Sequence, residues 1–132
     1  MAKDLYKDLA DEIEEALTWG RSVLGISDWV LKLDVGNVPP SWYSDEYARF
    51  SGYGGVRWQK THKVADIWIS PSLCAADDIP PVAAAFHELS HVHFADLGIA
   101  DRVNLSGAVE FAHTRLGEVM LMAWRRKKRR HK

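Results

Sequence analysis

The sequence predicts a single α+β domain, and three observations carry the prediction. Apolar residues recur every three or four positions at both ends of the chain, they alternate with polar ones in the middle, and 132 residues suffice for one compact domain but not for two ordinary ones. The order of helix, strand, hairpin, helix, helix implies helices packed on a small, mostly antiparallel sheet.

Residues 3–24 place Leu5, Leu9, Ile13, Ala16, Leu17 and Val23 or Leu24 on one helical stripe, with acids outside it. Gly20 weakens the middle of this helix and Gly25 is placed to stop it. At 29–35 the period changes to two: Trp29, Leu31, Leu33 and Val35 face one way, Lys32 and Asp34 the other, as in a half-buried strand. Residues 37–51, with Pro39-Pro40, read as a loop. A hairpin follows the Gly52–Gly55 stretch, with arms 56–60 and 63–69 and a turn near Thr61-His62. From Pro80 the helical period returns. Asp77 or Asp78 is expected to cap this helix and Gly98 to end it. A connection over 99–103 and a capping signal at Asn104 lead to a last helix reaching about Trp124, with Val109, Ala112, Leu116, Val119 and Met120 on its apolar side.

Composition narrows the class. With 47% hydrophobic and 27% charged residues the chain reads as globular, not fibrous or disordered. No apolar run approaches the roughly 18–20 residues of a membrane helix, and no apolar leader follows Met1, so neither a membrane anchor nor a secretory signal is expected. One cysteine, Cys74, excludes an internal disulfide or a Cys₄ metal site, and the expected setting is a reducing cytoplasm. The net charge of −1 hides an asymmetry: residues 125–132 hold seven of the 17 Lys and Arg and no acid, leaving ten positive against 18 negative side chains in the rest. The expected division is therefore a domain over 1–124 and a basic tail over 125–132.

The chemistry concentrates in His87-Glu88-Leu89-Ser90-His91, an H-E-x-x-H inside the third helical segment. Residues four apart stand one above the other on a helix, so both imidazoles can aim at one ion, with zinc–nitrogen distances of about 2.0–2.1 Å. Glu88, about 100° further round, is placed to take a proton from metal-activated water. The alternative is a pair of core-edge histidines without a metal, against which stands the cost of burying Glu88 on an otherwise apolar helix. A catalytic zinc site needs a third protein ligand. A further His six residues beyond His91 would fall at Leu97, so that pattern is absent. Glu110, near the start of the last helix, is the preferred candidate, and its alternative role is an acid favouring the helix dipole. His113, one turn on, is a candidate ligand, supporting residue or oxyanion donor. Asp96 and Asp101 compete at short range, and Glu118 stands further along the axis.

His87-Glu88-x-x-His91 followed by Glu110 resembles the gluzincin branch of the zincin metallopeptidases, and Glu110-Phe111-Ala112 loosely resembles that family's second motif. The chain is similar to a minimal single-domain zincin of the small bacterial or phage type, although His93 stands where the family has an apolar residue. The resemblance implies a zinc ion held by His87, His91 and Glu110, Glu88 as general base and acid, and peptide-bond hydrolysis of a peptide or protein substrate. It also implies an oxyanion-steadying side chain, for which His113, Tyr53 and His62 are candidates, and an extended substrate laid along an edge strand, for which 63–69 is the candidate with Asp66 and Trp68 on its exposed side.

Two other readings compete: a catalytically silent zincin-fold binding module, and an accessory protein whose basic tail binds nucleic acid non-specifically through counterion release. Trp42 and Tyr43 are a candidate substrate-side wall. Cys74 is expected to be an unreactive thiol in the loop before the metal helix.

Overall fold

A computed structural model describes residues 5–44, 48–98 and 106–130, leaving out the side chains at 49 and 106–111. It is α+β. Helix α1 (Lys7–Val23) leads to strands β1 (Val30–Val35), β2 (Arg49–Phe50), β3 (Gly54–Gln59) and β4 (Val64–Ile69), then to helices α2 (Pro71–Ala76), α3 (Pro81–Asp96) and α4 (Ser106–Arg130). The expected connection over 99–103, the capping residue Asn104 and the competitor Asp101 lie outside the described residues. Among the described residues no helix is long and apolar enough to cross a membrane.

The strand order is β1-β4-β3-β2. β4 pairs antiparallel with β3, β3 antiparallel with β2, and β4 parallel with β1, in a register that sets Leu33 opposite Ile67 and Val56 opposite Ile67 on the other side. The pleat therefore puts Leu31, Leu33, Val56, Ala65, Ile67 and Ile69 on one face, and all six join the core beneath the helices. This placement corrects the expected substrate edge. The 63–69 arm is an interior strand with both sides paired; β1 and the short β2 are the edges. Asp66 and Trp68 do point away from the helices, yet Trp68 is buried, because Tyr43 packs edge-on against its ring and its indole N–H donates to the Gly36 carbonyl.

α3 is buried nearly all round, as a helix with no single apolar stripe must be. It touches α1, α4, β3 and β4 and is the axis of the domain. Phe86 and Leu89 are fully buried on it, each stabilising the fold by about 1.5–3 kcal/mol. Its N-cap is Pro80 with no side-chain cap bond, so the expected Asp77 or Asp78 cap is not formed; Asp78 instead adopts a positive φ of 55° in the turn before it. Gly98, at φ 79°, ends the helix as expected. Trp29, just before β1, is tied to the other end of α3 by its indole N–H donating to Asp96 Oδ1 at 2.9 Å.

The α1 stripe packs through Ile13, Ala16, Leu17 and Gly20, while Leu5 is exposed. Gly20 is not a weak point but a contact: a methyl group there would lie 2.9 Å from Leu89 Cδ2 and 3.0 Å from Met120 Cε. Gly117 does the same service for α4. A methyl group there would lie 3.2 Å from the His87 backbone nitrogen and 3.3 Å from the Ala83 carbonyl oxygen, so α4 and α3 meet backbone to backbone beside His87. The buried face of α4 comprises His113, Gly117, Met120 and Trp124, whereas the expected core residue Val119 is half exposed. The helix also continues past Trp124 to Arg130, so the basic residues 125–130 form its last turns rather than a separate extension.

Candidate metal centre

His87, Glu88 and His91 are buried, and one ligand atom from each lies within 4.8 Å of the others. Two donors on a tetrahedral ion, each about 2.1 Å from it, stand about 3.4 Å apart, so a modest closing of the two imidazoles brings them to ligand geometry with the Glu88 carboxylate beside them. Imidazoles are donors that a borderline ion such as zinc takes, and a neighbouring carboxylate offsets its charge. The residues present therefore fit such an ion.

The surroundings hold His87 from behind and His91 by its faces. The Tyr53 hydroxyl lies 3.0 Å from His87 Nδ1, with Thr114 Oγ1 at 3.5 Å from the same nitrogen. With Nδ1–H donating to the phenol oxygen, Nε2 carries the lone pair, the form a metal ligand requires. That nitrogen is 4.0 Å from Glu88 Oε1. Tyr53 thus stands behind His87 as an orienting group, not in front of it as an oxyanion donor. The His91 ring is sandwiched, with Trp58 stacked on it at 6.3 Å and His113 at 3.7 Å between ring centroids.

His113, fully buried on α4, is brought into the cluster as expected. The single proton of the Ser90 hydroxyl goes to the His87 carbonyl oxygen at 2.5 Å, so its oxygen accepts from His113 Nδ1–H at 2.6 Å. This fixes the His113 tautomer with the lone pair on Nε2. Ser90, one of the two unspecified positions of the pentapeptide, and Gly117 join the two helices beside the histidines, and the sequence reading does not single them out. Only their roles in joining α3 to α4 distinguish them, and nothing local announces those.

Glu110 falls in the first turns of α4; its side chain lies outside the described residues. Asp96 is engaged by Trp29 and stands away as a competing ligand. Glu118, placed further along the axis, lines a cleft of about 250 Å³ with His87, Tyr53 and Thr114, where its exposed carboxylate accepts from Arg115 at 3.4 Å. His62 is exposed in the β3–β4 turn. Trp42 and Tyr43 stack on Phe50, which the register places opposite Gly55 on the sheet face turned away from α3. They do not wall the histidine site.

No family model matches this chain, and no curated protein or solved structure matches it. The site has to be read from its own chemistry.

Two neighbouring groups are shifted by their surroundings. Burial pushes the Cys74 thiol up to about 11, with the charges of Asp77 and Glu88 adding to it. Cys74 sits buried in α2, not in a loop. Burial also holds the His93 imidazole below its ordinary value, against the pull of Asp96.

Proposed function

We propose that this chain is a small zinc-dependent metallopeptidase of gluzincin type, hydrolysing peptide bonds in a peptide or protein substrate. The observation that carries the reading is the convergence of His87, Glu88 and His91 on one buried point, with His87 held from behind by Tyr53 and the His91 ring stacked on His113. His87 and His91 hold the ion, and Glu110 supplies the third protein ligand. His113 is disfavoured for that place because its ring is stacked on His91 with 27° between the planes, and near-parallel rings do not converge their lone pairs on one ion. Its role is to position His91, through that stacking and through Ser90.

A bound zinc ion supplies the Lewis acidity that brings the pKa of a water from about 15.7 to about 7. Glu88 takes the proton from the attacking water and passes it to the leaving amine nitrogen. Tyr53 and Thr114 keep the His87 ring in the tautomer that leaves Nε2 available. The setting proposed is the cytoplasm, where a lone buried cysteine needs no partner.

Glu88→Gln tests the chemistry, because it keeps a hydrogen-bonding side chain of equal size and removes the base. The variant should bind zinc as the wild type does and cleave an unfolded protein substrate at least about 1,000-fold more slowly, since the attacking water and the leaving amine both lose their proton carrier. Zinc-loaded wild type that cleaves no unfolded protein or peptide library would overturn the hydrolase reading and leave a metal-holding binding module.

A further inference from the structure

The basic residues that end α4 are sorted by type around the helix. At about 100° per residue, Arg125, Arg129, Arg126 and Arg130 fall within an arc of about 140°, and Trp124 stands on the opposite side. All four arginines are exposed, and none has an ion pair among the described residues. The two lysines flank Trp124 instead. Lys127 and Lys128 lie over its ring at 5.3 and 5.4 Å, and Lys128 reaches Glu15 on α1 at 3.6 Å. The lysines fasten the helix end to the domain while the arginines face outward.

Compensation of the helix dipole accounts for cations in the last turn but not for this sorting, because the dipole acts along the axis and is indifferent to the face a cation occupies. The arginines form two rows, 125 with 129 and 126 with 130, each rising about 6 Å. The first row borders a hollow that also holds Leu9 and Glu12, and the second borders another beside Trp19. Residues 1–124 carry ten positive against 18 negative side chains. A polyanion therefore repels the body of the domain and attracts the end of α4, which turns that end toward it.

We infer that the outer face of the C-terminal turns of α4 binds duplex DNA through its phosphates. A guanidinium pairs two N–H groups with phosphate oxygens, and charge of a single sign over two helical turns suits a regular array of phosphates. A duplex is favoured over a single strand because Trp124 is buried, leaving no ring among the arginines for a base to stack on. It is favoured over a membrane because Val119 and Met122 are the only large apolar side chains exposed on α4 among the described residues, too few to enter the acyl region. DNA binding here does not depend on the metal centre or on the peptidase reading.

Anisotropy of a fluorescein-labelled duplex of about 20 base pairs, titrated with the full chain over a salt series, tests this. Four phosphate contacts at about −0.9 each predict a slope of log K against log salt near −3.6, about a 150-fold loss of affinity between 50 and 200 mM. R125Q/R129Q and R126Q/R130Q should each halve the slope, to about a 12-fold loss over the same range, and the quadruple variant should not bind. K32Q/K60Q, which loses the same charge from the sheet, should keep the wild-type slope. Far-ultraviolet circular dichroism checks that each variant is folded. No duplex binding at low salt overturns the inference, as does a slope that the sheet variant lowers as much as an arginine pair. Tighter binding of a single strand of the same length or of a polyglutamate peptide also overturns it. So does tighter binding of phosphatidylcholine vesicles with about 30% phosphatidylserine, which would make the face a membrane contact.

Discussion

Replacing Gly117 by alanine places a methyl group where α4 meets α3. Its nearest neighbours would be His87 N at 3.2 Å, Ala83 O at 3.3 Å and His87 Cα at 3.4 Å, all backbone atoms of one turn of α3. Backbone in a buried helix cannot rotate aside, so relief requires the two helices to separate by a few tenths of an ångström. Overpacking of this kind costs about 1–3 kcal/mol, and the gain in helix propensity from Gly to Ala returns about 1 kcal/mol. The net loss is about 1 kcal/mol, a fall in Tm of about 3–5 °C for a domain of this size. The same separation shifts Thr114 and His113 away from His87 and His91, so zinc affinity should fall by about tenfold, the low end of what loss of a supporting shell costs. Gly20→Ala is the control. Its closest contacts are the ends of the Leu89 and Met120 side chains, which can swing, although the Phe86 ring stands 3.2 Å away. Thermal unfolding and a zinc competition titration on both variants decide the matter. If Gly117→Ala matches wild type in Tm and zinc affinity, or if Gly20→Ala weakens zinc as much, the close approach at His87 does not organise the site.

Tyr53→Phe removes the hydroxyl behind His87 Nδ1 and should weaken zinc binding by about 10–100-fold while leaving the far-ultraviolet circular dichroism unchanged; an unaltered zinc affinity would show that the hydroxyl does not orient the ring. Cys74, buried and with its thiol held up to about 11, should be alkylated by iodoacetamide at pH 7.4 at least roughly 300-fold more slowly than a free cysteine, and should approach the free rate only in denaturant. The same raised value makes the protonated thiol a source of stability that is complete below pH 9 and lost as pH rises through about 11, amounting to about 3 kcal/mol. Cys74→Ala should flatten the alkaline limb of a denaturant-midpoint profile over that window, and an identical slope in both proteins would contradict the assignment.

What the sequence made legible was local. The helical period around His87 to His91, the alternation of Leu31, Leu33 and Val35, and the stops at Gly25 and Gly98 each depend on a few neighbouring residues, and the structure has all of them. The placing of His113 beside His87 and His91 was legible because a helical pair returning on itself brings that turn back to α3. What could not be read was long-range. β1 pairs in parallel with β4 across the intervening β2 and β3, and nothing within 63–69 distinguishes an interior strand from an edge. Trp68, on the side expected to be exposed, is buried by Tyr43, an aromatic contributed from the segment that read as loop. The last helix reads as ending at Trp124 because a run of like charges suggests a solvated tail. It continues because Lys128 finds Glu15 on α1 and Lys127 and Lys128 lie over the Trp124 ring at 5.3 and 5.4 Å.

The most direct measurement is the zinc content of the purified protein after dialysis with added zinc, wild type beside His91→Ala, by inductively coupled plasma mass spectrometry. One buried point held by two imidazoles predicts about one zinc per wild-type chain and little or none in the variant. A folded wild type that takes up no zinc, or a variant that holds as much as the wild type, would contradict it.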